Sequence, residues 1–299
     1  MSPAKDTTPQ APLMRDASSD AFEFVRELAM ELSGRDIELP SFPEVAVRVQ
    51  KVLAEDNANT ERVVRVLGAE ALLAARVLTM ANSAALNPSG KPVSDLRAAV
   101  DRLGFDALRS SAISFAIGQL RRAKSYKGIE RHLNVLWQHS VIVASLAFVL
   151  ARRVLRSSPD TAMLTGLVHG VGKLYILTRS TRHPALFSDQ ATYQRIVHDW
   201  HGNIAKALLE SWLLPDEIVA AVHSYEDEGR DLRGMSAQLA DILEIAVLVA
   251  LCKESLDVAR EQLKGNKAAM RLGFDADRCR ELVIESTEEL AALRHALGP

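Results

Sequence analysis

A chain of 299 residues that is 48% hydrophobic but only 5% aromatic can bury a sizeable core, and its Ala-, Leu- and Val-rich mixture favours helix packed on helix over an aromatic β-sandwich. A formal net charge of −2 excludes a global field that would draw it onto nucleic acid or acidic lipid. The two isolated cysteines, Cys252 and Cys279, exclude CxxC and zinc-ribbon spacings and fit a reduced, cytoplasmic setting.

Residues 1–20 have no apolar run of signal-peptide length and are rich in Pro, Ser, Thr and Asp, so a disordered tail is expected there. An N-terminal helix is expected within 21–35, where Phe22 to Leu32 is periodic and Ser33-Gly34 closes it. In LPSFPEV the prolines Pro40 and Pro43 form an extended lead-in, and Pro43 suits the first turn of a helix reaching Leu53. Asn59 or Thr60 can cap the next helix, whose Val63, Val66, Leu67, Leu73, Val77 and Leu78 recur at helical spacing before Asn82-Ser83. Ser94 can cap Asp95–Leu103, Gly104 stops that helix, and Asp106 opens Ala107–Leu120.

Leu133 to Ala151 runs 19 residues without a formal charge, near the ~20 that span a bilayer. Asn134, Gln138, His139, Ser140 and Ser145 interrupt it, so a buried core helix is expected and not a membrane span. Pro159-Asp160 opens a short helix ending at His169. Later helices are expected at Ser188–Trp200, Asn203–Trp212, Glu217–Ser224, Ser236–Leu263 and Asp275–Leu297, the last amphipathic and expected to pack on the domain. No segment alternates over strand length between turn signals and no repeat is visible, so the fold class is all-α, with about ten or more helices.

The chemistry centres on HGVGKL, His169 to Leu174. With Asp in place of Gly170 it would be a histidine-aspartate doublet, half of a metal-hydrolase site. On the uncharged helix Leu136, His139, Val143, Leu146 and Leu150 form one stripe, which turns His139 inward. His139 and His169 could supply half of a divalent metal site, but hydrolysis also needs hard oxygen ligands to fix charge and lower the pKa of bound water. None is evident. The face of ILEIAVLVALC offers Ile245, Val247 and Leu248, and Asp241 and Glu244 lie one or two turns early. Lys173 can approach a helix-end carbonyl or snorkel to solvent. In HDWH, His198 and His201 share a helical face and Asp199 points away, which suits packing better than a metal.

Several motifs in order resemble the HDOD domain, a bacterial signalling relative of the HD and HD-GYP phosphohydrolases. They are Pro40 and Pro43, ANSA at Ala81–Ala84, AVDRLG at Ala99–Gly104, WQHS at Trp137–Ser140, LVHGVGKL at Leu167–Leu174, and the run from His201 to Ser224. The resemblance places an HDOD domain over 36–250, between the N-terminal helix and a C-terminal helical extension at 251–299. It implies an HD-superfamily-like helical fold. It also matches His139 to the first metal ligand of catalytic relatives, His169-Gly170 to the doublet, and His201 and His223 to the later histidines, with the final Asp ligand falling near Val247. Ala69-Glu70-Ala71 departs from the family's usual Asp-Pro, which bears on a helix turn.

The histidines persist while both carboxylate positions are lost. His139, His169, Gly170, Lys173, His201 and His223 are therefore expected to form a vestigial site with no catalytic residue and no metal or cofactor; any metal would be held by His139 and His169. The chain is expected to be a non-enzymatic module that binds signalling proteins of a bacterial regulatory pathway. A divergent metal-dependent phosphodiesterase or phosphohydrolase is the alternative. So is a nucleotide- or nucleic-acid-binding regulator, for which Arg121, Arg122, Lys124, Lys127 and Arg131 are candidate anion contacts, a cyclic-nucleotide second messenger being the ligand. Such basic runs are usually a solvated face, and ALRSSAISFAIGQL carries only Arg109 before its end, a poor recognition helix, so nucleic acid is not the expected partner.

Overall fold

The computed structural model describes residues 17–34, 37, 39, 43–155, 158–227, 229–230, 234–252 and 256–298. Residues 1–16 of the expected tail, and Pro40 of the proline pair, lie outside them. The described residues contain no strand. The helices are α1 (Ala17–Gly34), α2 (Glu44–Ala54), α3 (Thr60–Gly68), α4 (Ala71–Ala81), α5 (Leu96–Leu120), α6 (Glu130–Leu150), α7 (Pro159–Val168), α8 (Val171–Ser180), α9 (Gln190–Ser211), α10 (Asp216–Ser224), α11 (Gly234–Leu251), α12 (Leu256–Leu263), α13 (Lys267–Arg271), α14 (Ala276–Glu285) and α15 (Thr287–Leu297).

Helix α6 is apolar nearly all round and is accordingly central, packed against α7, α8, α11 and α15. The segment Glu130–Arg153 has the length and apolarity of a membrane span, but 67% of its most apolar window is buried inside the fold. That is the placement of a core helix. Helix α7 approaches it backbone to backbone, because a Cβ on Gly166 would sit 2.7 Å from the Ala144 Cα. Helix α8 meets α9 more closely still, since a Cβ on Gly172 would lie 2.0 Å from the His201 carbonyl oxygen. These two glycines draw α6, α7, α8 and α9 together around the histidines.

Local punctuation explains most helix ends. Asn59 and Asp95 accept from the backbone N–H of Arg62 and Ala98, so Asp95, not Ser94, caps α5. Gly104, at φ 71° and ψ 175°, leaves the helical region and breaks α5 into two helical halves that meet at a kink, as expected. Helix α1 begins at Ala17, and its Asp20 is buried, accepting from the Ala185 N–H at 3.2 Å. Farther along α1, Glu31 bonds the Tyr175 hydroxyl and pairs with Arg179 at 3.2 Å, which clamps the helix to α8.

Several boundaries differ from the sequence reading. The run expected as one helix from Thr60 to Asn82 breaks at Ala69-Glu70 into α3 and α4. The pair expected at Ser188–Trp200 and Asn203–Trp212 is one helix, α9, because Gly202 continues the helical backbone. Ser236–Leu263 is divided between α11 and α12, and Asp275–Leu297 is broken at Ser286, which lets α15 turn onto α4, α5 and α6.

Candidate functional site

His169 caps the C-terminus of α7, where helical carbonyls lack a next turn to bond. Its Nδ1 lies 2.6 Å from the Gly166 carbonyl oxygen. A carbonyl only accepts, so Nδ1 carries the proton and Nε2 keeps its lone pair. The His139 ring stands 5.4 Å away, centroid to centroid, tilted by 67°. The Tyr225 ring closes over His169 at 6.2 Å, nearly perpendicular. Burial, then the neighbouring His139, pushes the His169 pKa down to about 3, so this imidazole is neutral. His139 itself is only partly buried.

The sequence reading missed an acid here. Glu226, in the turn after α10, accepts from His201 Nε2 at 2.9 Å and from the Tyr225 hydroxyl at 2.5 Å, and its other contact is Lys173 Nζ at 3.5 Å. Burial works to raise its pKa, yet the bonds from His201 and Tyr225 and the Lys173 ammonium outweigh it and hold the carboxylate well below its usual range. Lys173 therefore neither meets a helix-end carbonyl nor simply reaches solvent. Glu226 had no sequence signal, because it lies outside any helical stripe and 25 residues from its histidine partner.

The remaining site residues separate. Gly170 faces α6 so closely that a Cβ would stand 3.0 Å from the Ser140 Oγ, and a carboxylate there would displace that hydroxyl. His201 is buried on α9 while His198 and Asp199 are exposed. His223 lies outside the cluster, exposed and 3.1 Å from Asn203 Oδ1. Asp241 is gripped by Arg230 and Arg271, each at 2.6 Å, and Glu244 by Arg230 at 2.5 Å and Asn266 at 2.7 Å. Both acids are thus committed to an ion network. Val247 lines a cavity of roughly 430 Å³ beside Tyr225 and Glu226 and supplies no ligand atom.

A divalent ion does not fit this arrangement. Among the described residues no three His, Cys, Asp or Glu side chains converge as a ligand set. Glu226 is turned to His201, Tyr225 and Lys173, and the two imidazoles alone offer little to offset the dehydration of a hard cation.

Arg121 Nε bonds Asn134 Oδ1 at 2.7 Å, Tyr126 is buried between exposed Lys124 and Lys127, and Arg131 lines a separate cavity on α6.

The HDOD domain family matches residues 39–228. No curated protein matches the chain. Among solved structures, a Shewanella amazonensis SB2B protein, provisionally named a metal-dependent phosphohydrolase, is 24% identical with a TM-score of 0.68; the match covers 93% of this chain and 99% of that one. A Geobacter sulfurreducens HDOD domain protein of unknown function is 23% identical with a TM-score of 0.61, covering 94% and 98%. A Marinobacter aquaeolei VT8 protein, provisionally assigned to signal transduction, is 22% identical with a TM-score of 0.61, covering 96% and 67%.

Proposed function

This chain belongs to the HDOD family, and on that premise we propose that it is a non-enzymatic module of bacterial signal transduction, acting in the cytoplasm by docking to partner proteins. The observation that carries this reading is the engagement of Glu226, the acid found beside the histidines, by His201, Tyr225 and Lys173. Position 170, where a bridging carboxylate would stand, is a glycine facing the Ser140 hydroxyl and supplies no ligand atom. Around it the charges are already satisfied: Glu226 by His201, Tyr225 and Lys173, and Asp241 by two arginines. With these acids engaged, the site has no uncommitted carboxylate among the described residues to activate water. The helical surface is then what the protein has to offer a partner.

A second reading keeps hydrolysis. It draws on His169, whose Nδ1–H on a backbone carbonyl is the orientation that metal-ligating histidines adopt. Elemental analysis of the purified chain separates the two. The non-enzymatic reading expects Mn, Fe and Ni far below one per chain, unchanged in a His139→Ala/His169→Ala double variant. Near-stoichiometric metal that disappears in the double variant would overturn it.

A further inference from the structure

A cavity of about 330 Å³ opens between α6, α8 and α9, within the size range of small-molecule sites. Its walls are mostly apolar, Val135 and Leu136 from α6, Leu177 from α8, and Tyr193 and Val197 from α9, with Gln190 and Gln194 of α9 beside them. Its charged lining is of one sign only, Arg131 and Lys173, with His132 beside them; no carboxylate lines it. We propose that this cavity binds a small apolar carboxylic acid, the carboxylate held by Arg131 and Lys173 and the hydrocarbon body laid against Leu136, Leu177 and Val197.

Charge and polarity select this occupant. Lys173 is shared with Glu226 at 3.5 Å, so the cavity supplies one full positive charge from Arg131 and part of a second. That matches a monoanion. A nucleotide would bring several charges, more than one guanidinium and a shared ammonium neutralise, and part of its polar body would lie against the aliphatic side chains of Val135, Leu136, Leu177 and Val197. A neutral amphiphile would leave the ammonium and guanidinium unused.

Lys173 makes the cavity an input to the core. A ligand carboxylate competes with Glu226 for the same ammonium, and Glu226 also bonds Tyr225, whose ring covers His169. Occupancy therefore changes the charge balance behind the edge-on Tyr225–His169 contact. This inference stands apart from the non-enzymatic reading, since the cavity uses neither His139 nor His169.

Calorimetric titration of the full chain with decanoate, decanol and decyltrimethylammonium, each below its micellar range, tests it. Decanoate is expected to bind at one site, about tenfold or more tighter than the other two, the worth of a charge-assisted contact. Arg131→Glu and Val135→Glu, both at exposed positions that leave folding intact, should each weaken decanoate by about tenfold. Glu226→Gln should tighten it, by freeing Lys173. Equal binding of the three amphiphiles, no binding of decanoate, or indifference to both cavity variants would overturn the site. Weaker binding in Glu226→Gln would overturn the placement of the carboxylate on Lys173.

Discussion

Asp160, in the first turn of α7, is the clearest case of a residue at odds with its surroundings. Its Oδ1 is buried without a hydrogen-bond partner, and burial, followed by the nearby charge of Asp106, raises its pKa to about 6. Asp106 itself is bonded by Arg109 at 3.0 Å and by the Thr161 hydroxyl at 2.6 Å. Between its ordinary pKa and about 6, Asp160 holds a proton in the folded protein that the unfolded chain has lost. Stability contributed at this position therefore falls as pH rises through that window, and is fully lost above it. Asp160→Asn removes the penalty. Chemical denaturation should show the variant more stable at pH 7.5 by roughly 1–3 kcal/mol, with the difference shrinking toward zero near pH 4. A variant less stable at pH 7.5 would mean that the charged form has a partner in solution.

Helices are placed by contacts that single residues only hint at. The glycines of HGVGKL look alike in sequence, yet their roles differ. Gly170 faces a side-chain hydroxyl, which can rotate away, whereas Gly172 faces the main chain of α9, which cannot. Gly172→Ala should push α8 off α9 and cost about 3 kcal/mol or more, at the severe end of overpacking. Gly118, inside α5 with nothing within 4 Å of an added Cβ, is the contrast. Gly118→Ala should stabilise by about 0.5–1 kcal/mol, through helix propensity and the entropy of the unfolded chain. Opposite signs in urea midpoints measured side by side would separate close approach from a general intolerance of side chains at glycine. The same distinction marks what the sequence could reveal. Gly104 was legible as a break because nothing compensates a glycine after Leu103, while Gly202 was misread because the packing of α9 on α8 and α10 carries the helix through it. Helical phase turned His139 inward, and the place of His169 in HGVGKL, together with the resemblance to an HD-type doublet, paired the two. Their acidic neighbour Glu226 was not legible, because turns carry no period.

Across the whole molecule, the match to the HDOD family ends at residue 228, yet the chain beyond it is not loosely attached. Arg230, Asp241 and Arg271 join α11 to α13 through an ion network, in which burial works to raise the Asp241 pKa but the two arginines hold it below its normal value. At the far end, the Leu297 carbonyl accepts from both Arg76 and the Ser114 hydroxyl, which fastens α15 to α4 and α5. Glu289 meets Arg152 at 2.7 Å and Arg153 at 3.3 Å, after the end of α6. Leu290, Leu293 and Leu297 are buried in the common core. A fully buried leucine contributes about 1.5–3 kcal/mol, and even after discounting a compact unfolded chain, three of them should be worth at least ~3 kcal/mol. Deleting residues 287–299 should therefore lower the unfolding free energy by about that amount or more. It should do so in a single transition, because α15 shares its core with α4, α5 and α6 and has none of its own. Urea unfolding followed by both circular dichroism and Trp fluorescence checks this. Coincident curves with a lower midpoint are expected, whereas an unchanged midpoint would make the C-terminal helix an appendage, available to a partner and not to the domain.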